Sequence, residues 1–192
     1  MGRHHERQAE DWYRTPPQVT RALLTREKFT IRGLPDMVHE PACGDGAISE
    51  VLQAWGYHTH SADLMDRGYG YTGVHFLDEN FRRAPCLVTN PPYNLANEFF
   101  LHANELGYEK IALLLRLAWL EGEARRSSIF ENHPPARIHV FSGRQTLWKG
   151  DDPAARATGG MAAYAWFVWE KRFSGKPTIS WIPAAETARK TP

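Results

Sequence analysis

The sequence predicts an α/β fold, with a mostly parallel β-sheet covered by helices on both faces. Strand and helix patterns alternate from about residue 16 to residue 142, which is typical of chains built from β-α units. The segment Lys110 to Leu117 is almost entirely aliphatic, as expected of a strand buried on both faces. A length of 192 residues suits one domain with one core. We therefore expect a flexible tail over residues 1–10, one domain over 11–175 and a C-terminal extension over 176–192.

The first half of this pattern predicts two helices and two strands. Pro16 and Pro17 open the first helix, because the first residues of a helix do not need their N–H groups. A strand over 36–40 follows, and the next helix ends at Gly56, a residue suited to the left-handed turn after a helix. Another strand is expected over 57–63.

The second half continues the alternation. Residues 86–88 predict a short buried strand, and Asn94 can cap the helix that follows it. Beyond the aliphatic strand, the pattern predicts a helix around residues 121–132 and strands over 137–141 and 162–170.

The overall composition disfavours several classes of protein. The formal net charge is +1, so the molecule as a whole lacks the strong positive charge of many nucleic-acid-binding proteins. Cys43 and Cys86 are not spaced as a disulfide scaffold or a zinc site, and Cys43 is expected to pack as a small apolar residue. None of the histidines has metal-ligand spacing, so we expect no metal. No apolar stretch reaches the roughly 18 to 20 residues of a membrane span, which favours a cytoplasmic protein without membrane contact.

The strongest local signal is Asn90-Pro91-Pro92-Tyr93, which directly follows a predicted buried strand. Ligands of open α/β sheets bind beyond the carboxyl ends of the strands, so these residues would lie at the rim of a site. The exocyclic amine of adenine is a poor nucleophile, because its lone pair is delocalised into the ring. The Asn90 side-chain oxygen and the Pro91 carbonyl can accept the two amine hydrogens, and Tyr93 can stack on the base. Taken alone, the same residues are also compatible with a rigid turn that has no chemical role.

Two further features stand at the ends of the preceding strands. The segment Glu40-Pro41-Ala42-Cys43-Gly44-Asp45-Gly46 has two glycines one residue apart, which lets the backbone approach a ligand at a helix N-terminus. Asp63 ends the next strand, where a carboxylate can accept hydrogen bonds from both hydroxyls of a ribose. A lysine-bearing phosphate loop is absent from the sequence, which disfavours nucleoside triphosphate chemistry.

Together these motifs resemble those of class I S-adenosylmethionine-dependent methyltransferases, specifically the N6-adenine enzymes with the motif [DNS]-P-P-[YFW]. The resemblance spans roughly Asp11 to Glu170, and Asp11-Trp12-Tyr13-Arg14-Thr15-Pro16-Pro17 is similar to the family's N-terminal cofactor motif. It implies a Rossmann-like fold with a seven-stranded, mostly parallel sheet and a C-terminal antiparallel strand. It also implies a catalytic domain over 11–175 that uses S-adenosyl-L-methionine and releases S-adenosyl-L-homocysteine. The order of the motifs is similar to that of compact phage-type and γ-class DNA enzymes.

The family's motifs imply a role for each matching residue. Asn90, Pro91, Pro92 and Tyr93 are implied to be catalytic. The family's third cofactor motif usually has an acidic residue before Phe-Leu, whereas here His75 precedes that pair. The residues implied to bind the cofactor are Tyr13, Thr15, Pro16, Glu40, Ala42, Cys43, Gly44, Gly46, Asp63, Phe76 and Asn90.

The resemblance also implies how a substrate would reach the site. A base inside a duplex cannot reach a motif of this kind, so the adenine must be flipped out or single-stranded. Since no separate recognition domain is predicted, loops must contact the nucleic acid. A glycine-rich loop over 142–160 carries Arg144, Trp148, Lys149 and Arg156, which could bind phosphates and stack on a base. A partner interface or a disordered loop is the alternative interpretation of this segment.

The leading hypothesis is therefore transfer of a methyl group from S-adenosylmethionine to the N6 amine of adenine in nucleic acid, with DNA favoured by the order of the motifs. Enzymes of the same fold that methylate adenine in RNA, or a glutamine amide in protein, share the Asn-Pro-Pro-Tyr motif and form the first alternative. A non-catalytic cofactor-binding protein that regulates a partner is the second.

Overall fold

The structure, a computed structural model, describes residues 12–150 and 161–187. The strands are β1 (Tyr13–Arg14), β2 (Met37–Glu40), β3 (His58–Ser61), β4 (Cys86–Thr89), β5 (Lys110–Arg116), β6 (Arg137–Phe141), β7 (Gln145–Thr146), β8 (Trp148–Lys149), β9 (Met161–Ala162), β10 (Tyr164–Glu170) and β11 (Thr178–Ile182). The helices are α1 (Pro17–Leu24), α2 (Ala47–Ala54), α3 (Ala96–Glu105), α4 (Glu123–Arg125, continued by a π-helical turn over Arg126–Phe130) and α5 (Ala184–Thr187). Short 3₁₀ turns occupy Phe76–Asp78, Tyr93–Leu95 and Leu117–Leu120. Within these described ranges, no helix combines the length and the apolar character that crossing a membrane requires.

Seven strands form the central sheet, in the order β11-β6-β10-β5-β4-β2-β3. Strand β10 is antiparallel to both of its neighbours, β5 and β6, and the other adjacent pairs are parallel. The predicted fold class, a mostly parallel seven-stranded sheet with an antiparallel strand near its C-terminal end, is confirmed. Strand β11 follows the antiparallel strand, however, and pairs in parallel with β6, within the segment expected to be a C-terminal extension. Of its five residues only Ile182 is buried, so the strand has no apolar run in the sequence.

Each face of the sheet has its own hydrophobic core. On β5, Ile111, Leu113 and Leu115 pack on the face covered by α3 and the 3₁₀ turn at Leu117–Leu120. The alternate residues Ala112 and Leu114 pack on the face covered by α1 and α2. Because both faces are covered, all five side chains are buried, and the strand appears in the sequence as one aliphatic run. The predicted helices on both faces are thereby confirmed.

The tryptophans of β10 connect the sheet to elements on both sides. Trp166 is fully buried, and its indole N–H donates to the Val19 carbonyl of α1 at 2.9 Å. Trp169 belongs to the opposite core, and its indole N–H donates to the His133 carbonyl at 3.0 Å. Each indole therefore contributes a large apolar area to the core without leaving its N–H unpaired.

A buried ionic cluster joins the amino ends of β5 and β6. The Glu27 carboxylate, 3% exposed, accepts hydrogen bonds from Arg137 and His139 and lies 2.6 Å from the Lys110 ammonium. Burial alone would raise the pKa of Glu27, but its hydrogen bonds to His139, Arg137 and Lys110 outweigh burial and hold the pKa at about 2. Since Lys110 and Arg137 are the first residues of their strands, this cluster lies at the opposite edge of the sheet from the carboxyl ends.

The predicted helix cap at Asn94 is wrong. Helix α3 begins at Ala96, with Leu95 in the N-cap position and no side-chain hydrogen bond to the cap. The Pro92 carbonyl accepts the Leu95 N–H, which turns residues 93–95 into a 3₁₀ segment before the α-helix starts. Asn94 is left exposed on that turn.

Candidate active site

The carboxyl ends of β2, β3 and β4 border an open cavity of about 660 Å³, a volume that includes the solvent space at its mouth. A smaller cavity of about 220 Å³ adjoins it and shares Tyr13, Ala42 and Asn90 with it. The predicted site residues that line one or both cavities are Tyr13, Thr15, Glu40, Ala42, Cys43, Asp63, Phe76, Asn90, Pro91 and Pro92.

Gly44 and Gly46 form the turn between β2 and α2, with φ angles of +56° and +84°. These angles favour glycine, because a Cβ is strained in the left-handed region. A Cβ on Gly44 would lie 2.2 Å from the Trp12 indole nitrogen, and one on Gly46 would lie 2.5 Å from the Tyr69 ring. The glycines therefore allow two aromatic rings of the chain itself to cover the turn, and neither glycine lines either of the two cavities described above.

Asp63 connects this turn to the end of β3. One carboxylate oxygen accepts the Gly44 N–H at 2.8 Å, and the other accepts the Met65 N–H at 2.9 Å. Asp63 is 9% exposed and lines the larger cavity. Each of its oxygens keeps a second lone pair, so the carboxylate can fix the turn and still accept hydrogen bonds from a ligand.

Glu40 lies at the carboxyl end of β2 and is 1% exposed. The Ser49 hydroxyl donates to its carboxyl group, and the hydroxyls of Ser49 and Ser61 lie 2.6 Å apart. Burial raises the pKa of Glu40 well above its ordinary range, and the nearby Asp63 carboxylate acts in the same direction. A neutral Glu40 can both donate and accept a hydrogen bond at the wall of the smaller cavity.

Cys43 lines the same small cavity but is not suited to act as a nucleophile. Burial raises the pKa of its thiol, and the carboxyl groups of Glu40 and Asp63 raise it further. Because a protonated thiol is a poor nucleophile, the chemistry of the site must come from other residues.

Phe76 and Phe99 form an apolar wall of the larger cavity. Phe76 is 2% exposed, and the centroids of the two rings lie 5.0 Å apart. His75 lines the cavity next to them, with its Nδ1 3.8 Å from an Asp78 carboxylate oxygen. The wall can pack against a flat ring, and at its edge it presents an imidazole rather than an acidic side chain.

Asn90 follows β4 and is held by the N-terminal segment. Its side-chain Nδ2 donates to the Tyr13 carbonyl at 3.0 Å and to the Thr15 hydroxyl at 3.1 Å. A carbonyl can only accept, so the amide nitrogen must face Tyr13 and the amide oxygen must point the other way. That oxygen, Oδ1, is buried and accepts no hydrogen bond of normal geometry from the described residues, although the Asn90 side chain interacts with the Tyr93 hydroxyl and opposes the rise of its pKa. Asn90 therefore presents one oriented acceptor at the cavity wall.

Tyr93 lies in a cluster of side chains beside the cavities rather than in their lining. Its ring centroid is 5.6 Å from that of Tyr13 and 6.0 Å from that of Tyr164, and the Arg116 guanidinium lies 5.0 Å from it. Burial raises the pKa of the Tyr93 hydroxyl well above its usual range, so the ring stays neutral. A base that stacks on Tyr93 must take the place of one of these neighbours.

From the sequence, Arg116 near a strand end fits either an ion pair or a substrate contact, and Tyr164 was not among the residues predicted for the site. Arg116 ends β5, and Tyr164 lies directly opposite it at the start of the antiparallel strand β10. A basic residue at the carboxyl end of a strand is a usable sequence signal. The position of Tyr164 has none, because it depends on the register between two strands that are distant in sequence.

The loop predicted to contact substrate meets the N-terminal segment beside the site. Strand β8 pairs with β1 in antiparallel orientation, with Lys149 opposite Tyr13 and Trp148 opposite Arg14. The backbone therefore places Trp148 and Lys149 next to β1, the strand whose Tyr13 carbonyl accepts a hydrogen bond from Asn90. Pro16 is buried at the start of α1 and lines neither cavity.

The predicted contacts of this loop with phosphates stay a prediction. Arg144 is exposed. The side chains of Trp148 and Lys149, and the whole of residues 151–160 with Arg156, lie outside the described part of the chain. The predicted N-terminal tail, residues 1–10, lies outside it as well.

Comparison of the sequence with protein-family models and with curated proteins finds no match. Solved structures with a similar fold include three methyltransferases or putative methyltransferases. The type I restriction-modification methyltransferase subunit of Streptococcus thermophilus has a TM-score of 0.64 at 14% identity. The match covers 94% of this chain and 49% of that subunit, so this chain spans about half the length of the subunit. A putative RNA methyltransferase from Pyrococcus horikoshii has a TM-score of 0.58 at 15% identity, over 85% of this chain and 88% of that one.

The third structure is a putative class I S-adenosylmethionine-dependent methyltransferase from Listeria monocytogenes. Its TM-score is 0.57 at 13% identity, over 88% of this chain and 65% of that one. At these identities the likeness concerns the fold. The chain has the Rossmann-like fold of class I methyltransferases, with the cavity at the carboxyl ends of the parallel strands.

Proposed function

We propose that this protein is a methyltransferase that binds S-adenosylmethionine and methylates the N6 amine of adenine in DNA. The observation that carries the proposal is the geometry of Asn90. Both hydrogens of its amide group are directed to the N-terminal segment, and its buried oxygen accepts no hydrogen bond of normal geometry in the described structure. Leaving a buried acceptor unpaired costs about 1–3 kcal/mol, and a donor bound at this point would remove that cost.

The residues around the two cavities suit the cofactor. The Asp63 carboxylate keeps lone pairs for ribose hydroxyls, and the Phe76 wall can pack on an adenine ring. Glu40 and Thr15 line the smaller cavity, where they offer hydrogen bonds to the polar methionine end. When bound, S-adenosylmethionine supplies a methyl group that is already activated on a sulfonium.

The chain's own task is then to orient the amine. Asn90 Oδ1 accepts one amine hydrogen, and the neighbouring Pro91 carbonyl accepts the other. This favours the pyramidal form of the amine, in which the lone pair is available for the methyl carbon. Because the methyl group is activated, no strong base is needed before transfer, and the methylated amine loses its proton afterwards.

The adenine must leave its stack to reach Asn90. The pairing of β8 with β1 supports a role for the 142–160 loop in holding the flipped nucleotide, since it brings this loop to the cavity rim. The likeness of the fold to a restriction-modification methyltransferase favours DNA. The likeness to a putative RNA methyltransferase makes RNA the second candidate.

The proposal is tested by methyl transfer from labelled S-adenosylmethionine to duplex DNA, single-stranded DNA, RNA and protein, followed by nucleoside analysis. We expect the label in N6-methyladenine of DNA. We also expect Asn90→Ala to reduce transfer by at least ~100-fold, the effect of removing a donor or acceptor that orients a reacting group. Cofactor affinity, measured by calorimetry, should change little.

Asn94→Ala is the matched control, because Asn94 is exposed four residues along the same segment and has no role in the proposed site. It should transfer methyl groups like the unmodified protein. If the label enters only RNA or only protein, that molecule is the substrate and the proposal of DNA is wrong. An Asn90→Ala variant that retains full activity, or that loses cofactor binding in proportion to activity, would contradict the role of Asn90.

A further inference from the structure

Three potential metal ligands converge at β2 and β3, outside the lining of the two cavities. His39 of β2 lies opposite His60 of β3 in the register of the sheet, and Glu79 follows the 3₁₀ turn Phe76–Asp78. One ligand atom from each residue lies within 4.8 Å of the other two. His39 Nε2 and Glu79 Oε2 lie 3.8 Å apart.

Two of these atoms are buried without a partner. His39 is fully buried, and Glu79 is 8% exposed. Among the described residues, neither His39 Nε2 nor Glu79 Oε2 has a hydrogen-bond partner, although the two face each other. Buried polar atoms are normally paired, so a ligand bound by both atoms would remove the cost of burying them.

The second polar atom of His39 and of Glu79 already has a hydrogen-bond partner. His39 Nδ1 is hydrogen-bonded to the Tyr108 hydroxyl at 2.6 Å, and the Arg83 guanidinium donates to Glu79 Oε1 at 2.7 Å. Outer contacts of this kind orient the ligands of metal sites.

We propose that His39, His60 and Glu79 bind a divalent transition-metal ion, Zn²⁺, with a fourth position for water. Two imidazole nitrogens and one carboxylate oxygen are ligands that Zn²⁺ accepts in tetrahedral geometry. Bonds of about 2.0–2.2 Å place such ligand atoms roughly 3.4 Å apart, so the His39 and Glu79 atoms need to close by about 0.4 Å and no pair in the cluster by more than about 1.4 Å.

The ion would attach the segment after β3 to the sheet. Glu79 directly follows the turn that carries Phe76, and the Phe76 ring lies 5.8 Å from that of His39. A bound ion would therefore hold the apolar wall of the larger cavity against β2. This role is structural and does not depend on the proposed methyl transfer.

The test is titration of the full chain with Zn²⁺ and with Co²⁺. The N-terminal tail contains the adjacent residues His4 and His5, so all proteins carry His4→Ala and His5→Ala to remove them as ligands. We expect one ion per chain by calorimetry, a visible Co²⁺ spectrum typical of four or five ligands, and a higher melting temperature with Zn²⁺.

Substitutions then assign the ligands. His60→Gln and Glu79→Gln should each abolish the Co²⁺ spectrum, and Tyr108→Phe should weaken binding about 10- to 100-fold by removing an outer contact. His58→Gln is the matched control, since His58 is exposed on the same strand and is not part of the cluster. It should bind metal like the parent protein.

Circular dichroism establishes which variants are folded. If either glutamine variant fails to fold, the other one and Tyr108→Phe decide the question. The proposal is overturned if the parent takes up neither ion, if folded His60→Gln or Glu79→Gln binds like the parent, or if His58→Gln loses binding to the same extent. Methyl transfer is not a readout here, so these results are separate from the test of the proposed function.

Discussion

The orientation of Asn90 depends on two acceptors that lie in a distant part of the sequence. The motif Asn90-Pro91-Pro92-Tyr93 is recognisable from the sequence, because it directly follows a buried strand and the end of such a strand is where ligands bind. The sequence does not show that the Tyr13 carbonyl and the Thr15 hydroxyl hold the amide. These contacts arise because β1 crosses the end of β4, and that arrangement follows from tertiary packing.

The contact between Gly44 and Trp12 is likewise not evident from the sequence, and it leads to a prediction about stability. Gly44→Ala should lower the free energy of unfolding by more than the ~1–2 kcal/mol expected for a Cβ in the left-handed region, because the new atom would also meet the Trp12 indole at 2.2 Å. Urea unfolding measures the loss. Gly33→Ala is the matched control: Gly33 has a φ of +79° with nothing within 4 Å of the added Cβ, so it reports the backbone strain alone. Equal losses in the two variants would show that Trp12 does not cover the turn.

At the scale of elements, the sequence predicts best those strands whose burial pattern is simple. Strand β5 is buried on both faces, so its aliphatic run identifies it. Strand β11 was assigned to an extension, because four of its five residues are at least partly exposed and it is recognised only through its pairing with β6. The cluster of His39, His60 and Glu79 was missed for the same reason, since strand register brings two of its members together.

The ionic cluster at the amino ends of β5 and β6 predicts how stability depends on pH. The pKa of Glu27 falls from 4.5 to about 2 on folding, so its contribution is complete above pH 4.5 and is lost as the pH falls toward 2. Glu27→Gln should therefore flatten the acid limb of a plot of unfolding free energy against pH. It should also destabilise the protein at neutral pH, by at most about 3–5 kcal/mol, because it removes the buried carboxylate that faces Lys110, Arg137 and His139 while Glu170 still pairs with Arg137.

Glu186→Gln is the control for this prediction, because Glu186 pairs with Arg26 at the surface and its side chain is 39% exposed. Surface pairs contribute about 0–1 kcal/mol, so the acid limb should keep its slope in this variant. Equal acid limbs in Glu27→Gln and the unmodified protein would show that Glu27 does not account for the acid sensitivity.

At the scale of the whole molecule, the two edges of the sheet have different roles. At the amino edge a buried ionic cluster joins β5 and β6, whereas the carboxyl edge borders a cavity built from residues of several separate segments. The sequence predicts fewer than half of the residues that line this cavity, chiefly those at or just after the ends of predicted strands. It does not predict the aromatic cover over the glycine turn or the position of Arg116 against Tyr93, which depend on how loops pack over that edge.

A crystal structure with S-adenosyl-L-homocysteine is the most direct test of the central claim, that Asn90 presents an unpaired oxygen to the point of methyl transfer. We predict that the ligand fills the 660 Å³ cavity and that its sulfur faces Asn90 Oδ1. The Asn90 amide nitrogen should still be bonded to Tyr13 and Thr15. A complex in which the sulfur points away from residues 90–93, or in which Asn90 Oδ1 is hydrogen-bonded within the protein, would contradict the claim.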